Sequence, residues 1–345
     1  MKIFSIANRE VGEGKPPLVI AELGINHNGD LDLARTMVDS AARAGAEIIK
    51  HQTHIPESEM AEDAKSIQPD NADQSIYDVI DSCHLDEDDE ATLKDYVESR
   101  GMIFISTPFS LDAVDRLERF DVPAWKIGSG ECNNLPMIRR ILRTKKPIIL
   151  STGMNDIASI GRSVAEIEAA GVPYALLHCT NIYPTPYNQV RLAAIEQLRE
   201  AFPKAVVGLS DHTGDIYTSV AALAYGASLF ELHYTDHKQR TGPDIPASID
   251  EQQLHELLRV APLVQQSIPG EKGIVDGEQS VADFAFASVV AAQDIAEGAT
   301  ITADMLTVRR PGTGIPASDI DDVPGRIAAV AIAKGHVIKS EMLLA

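Results

Sequence analysis

Eight times over roughly 250 residues, a short apolar run closes on polar side chains and gives way to a segment of helical apolar spacing; no other feature constrains the fold of this chain as strongly. The runs span 17–22, 46–50, 102–107, 124–128, 147–152, 174–180, 205–210 and 228–233. Each is almost continuously apolar, as strands buried on both faces of a parallel sheet must be. Helical patterns cover 111–120, 135–143, 157–170, 189–202 and 213–226, and a closing one runs over 250–266. The first helix has Asp30 as its N-cap and Gly45 as its stop, with Leu33, Ala34, Met37, Val38, Ala41 and Ala42 at helical spacing between them. This alternation predicts an α/β fold, a (β/α)8 TIM barrel. An open doubly wound sheet would call for a GxGxxG turn after the first strand and a single switch point, whereas here polar residues close every strand.

After the barrel the texture changes. Residues 267–278 combine Pro269, three glycines and several charges, which reads as a linker. Beyond it, Ile295-Ala-Glu-Gly-Ala-Thr-Ile-Thr-Ala-Asp-Met-Leu306 recurs as Ile332-Ala-Lys-Gly-His-Val-Ile-Lys-Ser-Glu-Met-Leu343, an offset of 37 residues. Two copies are too few for a solenoid and predict a small, pseudo-symmetric, mostly β domain. The expected organisation is a barrel over 1–268, a linker over 269–286 and the small domain over 287–345, which would need a docking surface.

A formal charge of −21 excludes nucleic acid and acidic membranes as partners, because phosphate backbones need clustered cations. Cys83, Cys132 and Cys179 form neither a disulfide framework nor a CxxC pair. With no signal-peptide pattern and no run long enough to span a bilayer, a cytoplasmic location is expected. The segment 53–81, charged and interrupted by Pro69, is too long for an ordinary loop and predicts an excursion over a site. The acidic run 86–90 reads as the N-terminal turn of a helix.

In a barrel of this kind the chemistry sits where the strands end, so those residues can be read off directly. They include Glu22, Lys50, Gln52, Thr107, Lys126, Ser129, Ser151, Asn181, Tyr183, Ser210, His212, Glu231 and His233. Lys50 and Lys126 each follow an apolar strand, where a cation without an anionic partner is costly, so a phosphate or carboxylate is the expected guest. His212 and His233 close consecutive strands, and two imidazoles leave most of a six-coordinate shell open, which suits Mn2+ or Mg2+ as a Lewis acid. His51 and His54 point to opposite faces of an extended chain and read as structural, as does His178 within its strand.

Several segments also match a known family: Ala21-Glu-Leu-Gly-Ile-Asn-His27, Ile49-Lys-His-Gln-Thr-His54, Ser106-Thr-Pro-Phe109, Lys126-Ile-Gly-Ser-Gly-Glu-Cys132, Leu150-Ser-Thr-Gly-Met154, His178-Cys-Thr-Asn-Ile-Tyr-Pro-Thr-Pro186, Gly208-Leu-Ser-Asp-His212 and Gly242-Pro-Asp244. In this order they resemble the bacterial N-acetylneuraminate (sialic acid) synthases, and the C-terminal repeat is similar to that family's antifreeze-like (SAF) domain. The resemblance implies condensation of phosphoenolpyruvate (PEP) with N-acetylmannosamine to give N-acetylneuraminate and phosphate. It implies that His212 and His233 hold Mn2+, or Mg2+ or Co2+ in its place. By the same matching, Lys50, Thr107, Lys126, Ser129, Ser151, Asn181 and Ser210 hold PEP and Glu22 assists the chemistry, while Gln52, Asn71, Tyr183, Asp244 and Phe284 lie near the sugar. Arg310 matches an arginine that reaches the sugar from the other subunit of a domain-swapped homodimer.

The chain departs from the family pattern at Leu232, where a basic residue is usual, at His237, where an arginine is common, and in the turn Gly312-Thr-Gly-Ile-Pro316. Because that turn follows Arg310, a related acceptor stands as the alternative, a 2,4-diacetamido-2,4,6-trideoxyhexose giving a legionaminate-type acid. Two more distant readings make different demands. A metal-dependent barrel hydrolase wants an HxH pair after the first strand, and an ice- or carbohydrate-binding protein wants a flat polar rim without buried lysines.

Overall fold

The computed structural model describes residues 2–68 and 74–344. The chain divides into two compact units, Met1–Pro269 and Gly270–Ala345.

In the first unit, strands β1 (Ile3–Ile6) and β2 (Arg9–Gly12) form an antiparallel hairpin. Eight parallel strands follow: β3 (Leu18–Gly24), β4 (Ile48–Thr53), β5 (Ile103–Pro108), β6 (Trp125–Ile127), β7 (Ile148–Ser151), β8 (Tyr174–Cys179), β9 (Val206–Asp211) and β10 (Leu229–His233). They pair in the order β5-β4-β3-β10-β9-β8-β7-β6. β3 lies between β4 and β10, so first and last strands are neighbours; β5 and β6 lie side by side without a shared ladder. With a helix after each strand this is the TIM-barrel plan.

Strand parity sorts the core into two layers. Val19, Ala21 and Leu23 face outward onto the helices with Ala34, Met37 and Val38, and Leu232 and Leu209 join that layer. Leu18 and Ile20 face inward and pack with Ile48, Ile105, Ile149, Ala175, Leu177, Val206 and Leu229. The first hairpin contributes Phe4, Ile6 and Val11 to this inner layer, plugging the N-terminal end of the barrel. The sequence had not suggested this plug.

Helix ends follow local chemistry. Asp30 caps the helix Leu31–Ala44 by accepting from the backbone of Asp32 and Leu33, and Gly45 ends it in the left-handed region at φ 96°. Asp86 caps Glu87–Ser99, but Glu90 does more than favour the helix N-terminus. It is buried and accepts from Thr53, His51 Nδ1 (3.0 Å) and Arg116 (3.1 Å), tying β4 to two helices. The helix expected over 213–226 is shorter, Tyr217–Ala222, because the Asp211 carboxylate gathers the Thr213 N–H and the Thr218 and Ser219 hydroxyls into a turn.

In the second unit a helix, Gln279–Ala285, occupies part of the stretch expected to be linker. Beyond it the repeat becomes a pseudo-twofold. Ile295 and Ile332, equivalent positions of the two copies, bridge each other with reciprocal N–H to C=O bonds of 2.8 Å. The pairings Val290 with Thr307 and Ala291 with Leu306 recur as Ile327 with Leu344 and Ala328 with Leu343. Val289, Ile301, Ile338 and their neighbours bury a small core between the halves.

Candidate active site

The inward parity of Leu18 and Ile20 continues to Glu22; that of Ile48 to Lys50 and Gln52; that of Ile105 to Thr107. Along the other strands it reaches Lys126, Ser151, Cys179 and Asn181, Ser210 and His212, and Glu231 and His233. Alternation of side chains in the apolar lower barrel thus delivers polar groups to one point at its C-terminal mouth. Ser129, Tyr183 and Phe109, from the loops that follow, complete the lining.

The two lysines are paired with two glutamates. Lys50 Nζ donates to Glu22 Oε1 at 2.6 Å and to Thr107 Oγ1 at 2.8 Å, with all three residues buried. Lys126 Nζ lies 3.5 Å from Glu231 Oε1, to which Ser210 donates at 3.2 Å, and Lys50 is 4.0 Å from Glu231 Oε2. Burial alone would raise the pKa of Glu22, but Lys50 foremost, then His233 and Lys126, hold it well below the usual carboxylate range. Burial lowers the pKa of Lys126, an effect that Glu231 offsets in part.

His212 and His233 rings stand 5.3 Å apart, centroid to centroid. Tyr183 stacks on His212 at 4.2 Å and meets His233 edge-on at 5.7 Å. His212 Nδ1 faces the Thr180 carbonyl at 2.9 Å, fixing a proton there and turning Nε2 away. Burial disfavours its charged form, yet a thiolate at the neighbouring Cys179 and the Thr180 carbonyl favour it and push its pKa up to about 9. His233 Nδ1 is 3.5 Å from Asp244 and Nε2 is 3.8 Å from Glu22.

Three buried atoms here lack a hydrogen-bond partner among the described residues: Ser151 Oγ, Glu231 Oε2 and His233 Nδ1. Such orphans are rare in folded proteins, and their convergence marks a ligand site. Among the described residues no three His, Cys, Asp or Glu side chains are grouped as a complete metal cage. The two imidazoles, with His233 Nδ1 orphaned and Glu22 and Asp244 beside His233, fit an ion that keeps positions open for other ligands. A larger cavity, about 560 Å3, lies beside the starts of β9 and β10, but no comparable set of buried polar groups converges there.

Of the residues picked from the sequence, Glu22, Lys50, Gln52, Thr107, Lys126, Ser129, Ser151, Asn181, Tyr183, Ser210, His212 and His233 line this one cavity, and Asp244 touches its edge. Asn71 lies outside the described residues. Phe284 and Arg310 belong to the second unit, where both are exposed. Leu232 is buried in the outer layer, away from the mouth, and His237 is exposed. His178 donates from Nε2 to Val190 O over 2.6 Å within the outer shell. His51 turns to Glu90 and to His27, while His54 turns to Glu59 and Gln52, so the two do not act as a ligand pair. Sequence reasoning missed Cys179, which was read only for disulfide and CxxC chemistry, and the pairing of Glu231 with the lysines. The parity of β8 and β10 is the signal that finds both.

Gly153 sets a strict limit on the anion cradle. A Cβ there would come within 1.8 Å of Asn181 Oδ1 and 2.9 Å of Ser129 Oγ, which itself accepts from the Gly153 N–H at 3.0 Å. On the expectation from the sequence that this lining holds PEP, Gly153→Ala should displace both side chains and weaken PEP binding by roughly tenfold or more, with the thermal midpoint changed by a few degrees at most. Isothermal titration with PEP checks this; unchanged affinity would remove Asn181 and Ser129 from the cradle.

Residues 37–272 match the NeuB family and residues 286–344 match the SAF domain. The N,N'-diacetyllegionaminic acid synthase of Campylobacter jejuni is 35% identical, the alignment spanning 94% of this chain and 99% of that protein. The N-acetylneuraminate-9-phosphate synthase of Homo sapiens is 31% identical over 97% of this chain and 95% of its own. The crystal structure of N-acetylneuraminic acid (sialic acid) synthetase from Leptospira borgpetersenii superposes with a TM-score of 0.74 at 27% identity, covering 81% of this chain and 94% of that one.

Proposed function

Because this chain belongs to the NeuB family of sialic acid-type synthases, we propose that it condenses PEP with N-acetylmannosamine to give N-acetylneuraminate and phosphate. The observation that carries the reading is the convergence of Lys50, Lys126 and the three orphaned polar atoms beside His212 and His233. Lys50 and Lys126 hold the carboxylate and phosphate of the trianionic substrate, helped by Thr107, Ser129, Ser151, Asn181 and Ser210. A divalent ion on His212 and His233, Mn2+ first with Mg2+ or Co2+ as alternatives, would polarise the aldehyde of the open-chain sugar. C3 of PEP forms the new bond to the aldehyde carbon, water adds at C2, and the C–O bond to phosphate breaks. Glu22, kept ionised by Lys50, is placed to take or return a proton at the sugar oxygen, and Gln52, Tyr183 and Asp244 flank the acceptor.

A second acceptor is favoured by a specific finding. The identity to the Campylobacter legionaminate-forming protein exceeds that to the human sialate-forming one, so a 2,4-diacetamido-2,4,6-trideoxyhexose is the alternative substrate of the same chemistry. Neither rival reading has support in the site: β3 ends in Glu22 and Gly24 without an HxH pair, and the mouth carries buried lysines. Phosphate release from PEP with each sugar, and with none, tests the function. Release is expected only with an acceptor, is expected to stop on exhaustive chelation, and is expected to return with Mn2+. Release that ignores the sugar, or survives chelation, would overturn the reading.

A further inference from the structure

The short helix Pro56–Glu59, which follows β4, carries a carboxylate into the interior. Glu59 and His54 side chains are only 7% and 4% exposed, and both oxygens of Glu59 lie 3.0 Å from His54 Nδ1. The imidazole stacks on Phe109 at 4.2 Å, 11° from parallel, and its Nε2 meets Gln52 Oε1 at 3.0 Å. Gln52 in turn donates from Nε2 to Glu22 Oε1 at 2.6 Å.

These contacts fix the donors and acceptors from Glu22 to His54 Nε2. The ionised Glu22 accepts only, so the Gln52 NH2 group must face it and the amide oxygen must face His54. That oxygen also accepts only, which puts a proton on His54 Nε2. The two Glu59 oxygens face Nδ1, so both ring nitrogens are engaged. Burying polar groups is costly unless each finds a partner, so packing alone does not account for such a row beside the site.

We propose that Glu59 and His54 are positioning residues for Glu22, acting through Gln52. Glu59 holds the imidazole, which locks the Gln52 amide, which aims the Glu22 carboxylate and leaves its second N–H free for an oxygen of the acceptor sugar. The inference rests on the reading of Glu22 as a group that acts in the PEP condensation. It extends the site from the barrel mouth into the segment after β4.

His54→Phe keeps the stack on Phe109 and removes both ring donors; Glu59→Gln keeps the shape and removes the charge. His54→Phe is expected to lower kcat and raise the KM for the sugar by roughly tenfold each, with the KM for PEP within about twofold, because Lys50 and Lys126 are untouched. Glu59→Gln is expected to move the same two constants less. In 15N spectra of the ligand-free wild type His54 Nε2 should carry a proton. A wild type without sugar-dependent phosphate release would overturn the function itself. A wild type with that release, beside a folded His54→Phe whose sugar KM and kcat stay within about twofold, would overturn the relay alone, as would a His54 Nε2 without a proton in the wild type.

Discussion

Lys50→Met is expected to cost both PEP affinity and stability, and in a pH-dependent way that separates it from a simple loss of packing. A charge-assisted contact to a carboxylate or phosphate is worth about 1.5–3 kcal/mol, so PEP binding should weaken by at least ten- to a hundredfold. The stability effect comes from Glu22, which is 2% exposed and would lose its 2.6 Å partner. Breaking a buried pair from one side costs about 3–5 kcal/mol, because the remaining charge keeps its desolvation penalty. In the wild type the folded pKa of Glu22 is depressed, so its contribution is complete above the ordinary carboxylate value of 4.5 and is withdrawn as acid takes the pH below it. In the variant, burial pushes that pKa upward, so folding favours the protonated acid and the penalty grows as the pH rises. The gap in thermal midpoint should therefore be wide at pH 7.5 and narrow toward pH 4. Lys50→Met/Glu22→Gln should regain most of the stability and none of the PEP affinity. A gap independent of pH, or a double variant no more stable than the single one, would show that the pair is not coupled as its geometry indicates.

The same pair shows how far the sequence could be read. The lysines and Glu22 were legible because parallel strands alternate: once Ile20 and Ile48 face inward, Glu22 and Lys50 must as well. Their neutralisation was not legible, since it depends on register across the barrel, which sets Glu22 beside Lys50 on one side and His233 on the other. Glu231 lies two residues before His233 and shares its parity, but only the closed sheet brings it to Lys126. Glu90 belonged to an acidic run whose other members are solvated, and nothing in that run distinguishes the one carboxylate that meets a histidine and a threonine of one strand and an arginine of another helix. The hairpin that plugs the barrel is two strands of four residues, too short for its alternation to stand out. The C-terminal repeat was legible to the level of individual pairs, because a twofold maps each bridge onto its counterpart at the offset the sequence shows.

Arg310→Ala is expected to be nearly inactive as a homodimer and to regain activity when paired with a different inactive chain. The second unit buries only a small core, while Val281, Phe284 and Phe286 are each more than half exposed, an apolar surface of the kind that an assembly covers. Arg310 is exposed there, with no ion-pair partner among the described residues. An uncommitted guanidinium is suited to a sugar's hydroxyls, and the family resemblance assigns it to the neighbouring subunit's acceptor. If so, Arg310→Ala chains have an intact barrel and a defective tail, and His233→Ala chains the reverse. In a swapped hybrid the intact barrel receives the intact tail, rebuilding one site of two. Random reassembly of equal amounts makes half of the dimers hybrid, so about a quarter of wild-type activity should return from two chains that are each nearly inert. Were each tail to serve its own barrel, both sites of every hybrid would stay defective. Recovery near zero, with hybrids verified by mass, would therefore return Arg310 to its own chain and leave the second unit's exposed aromatics to another partner.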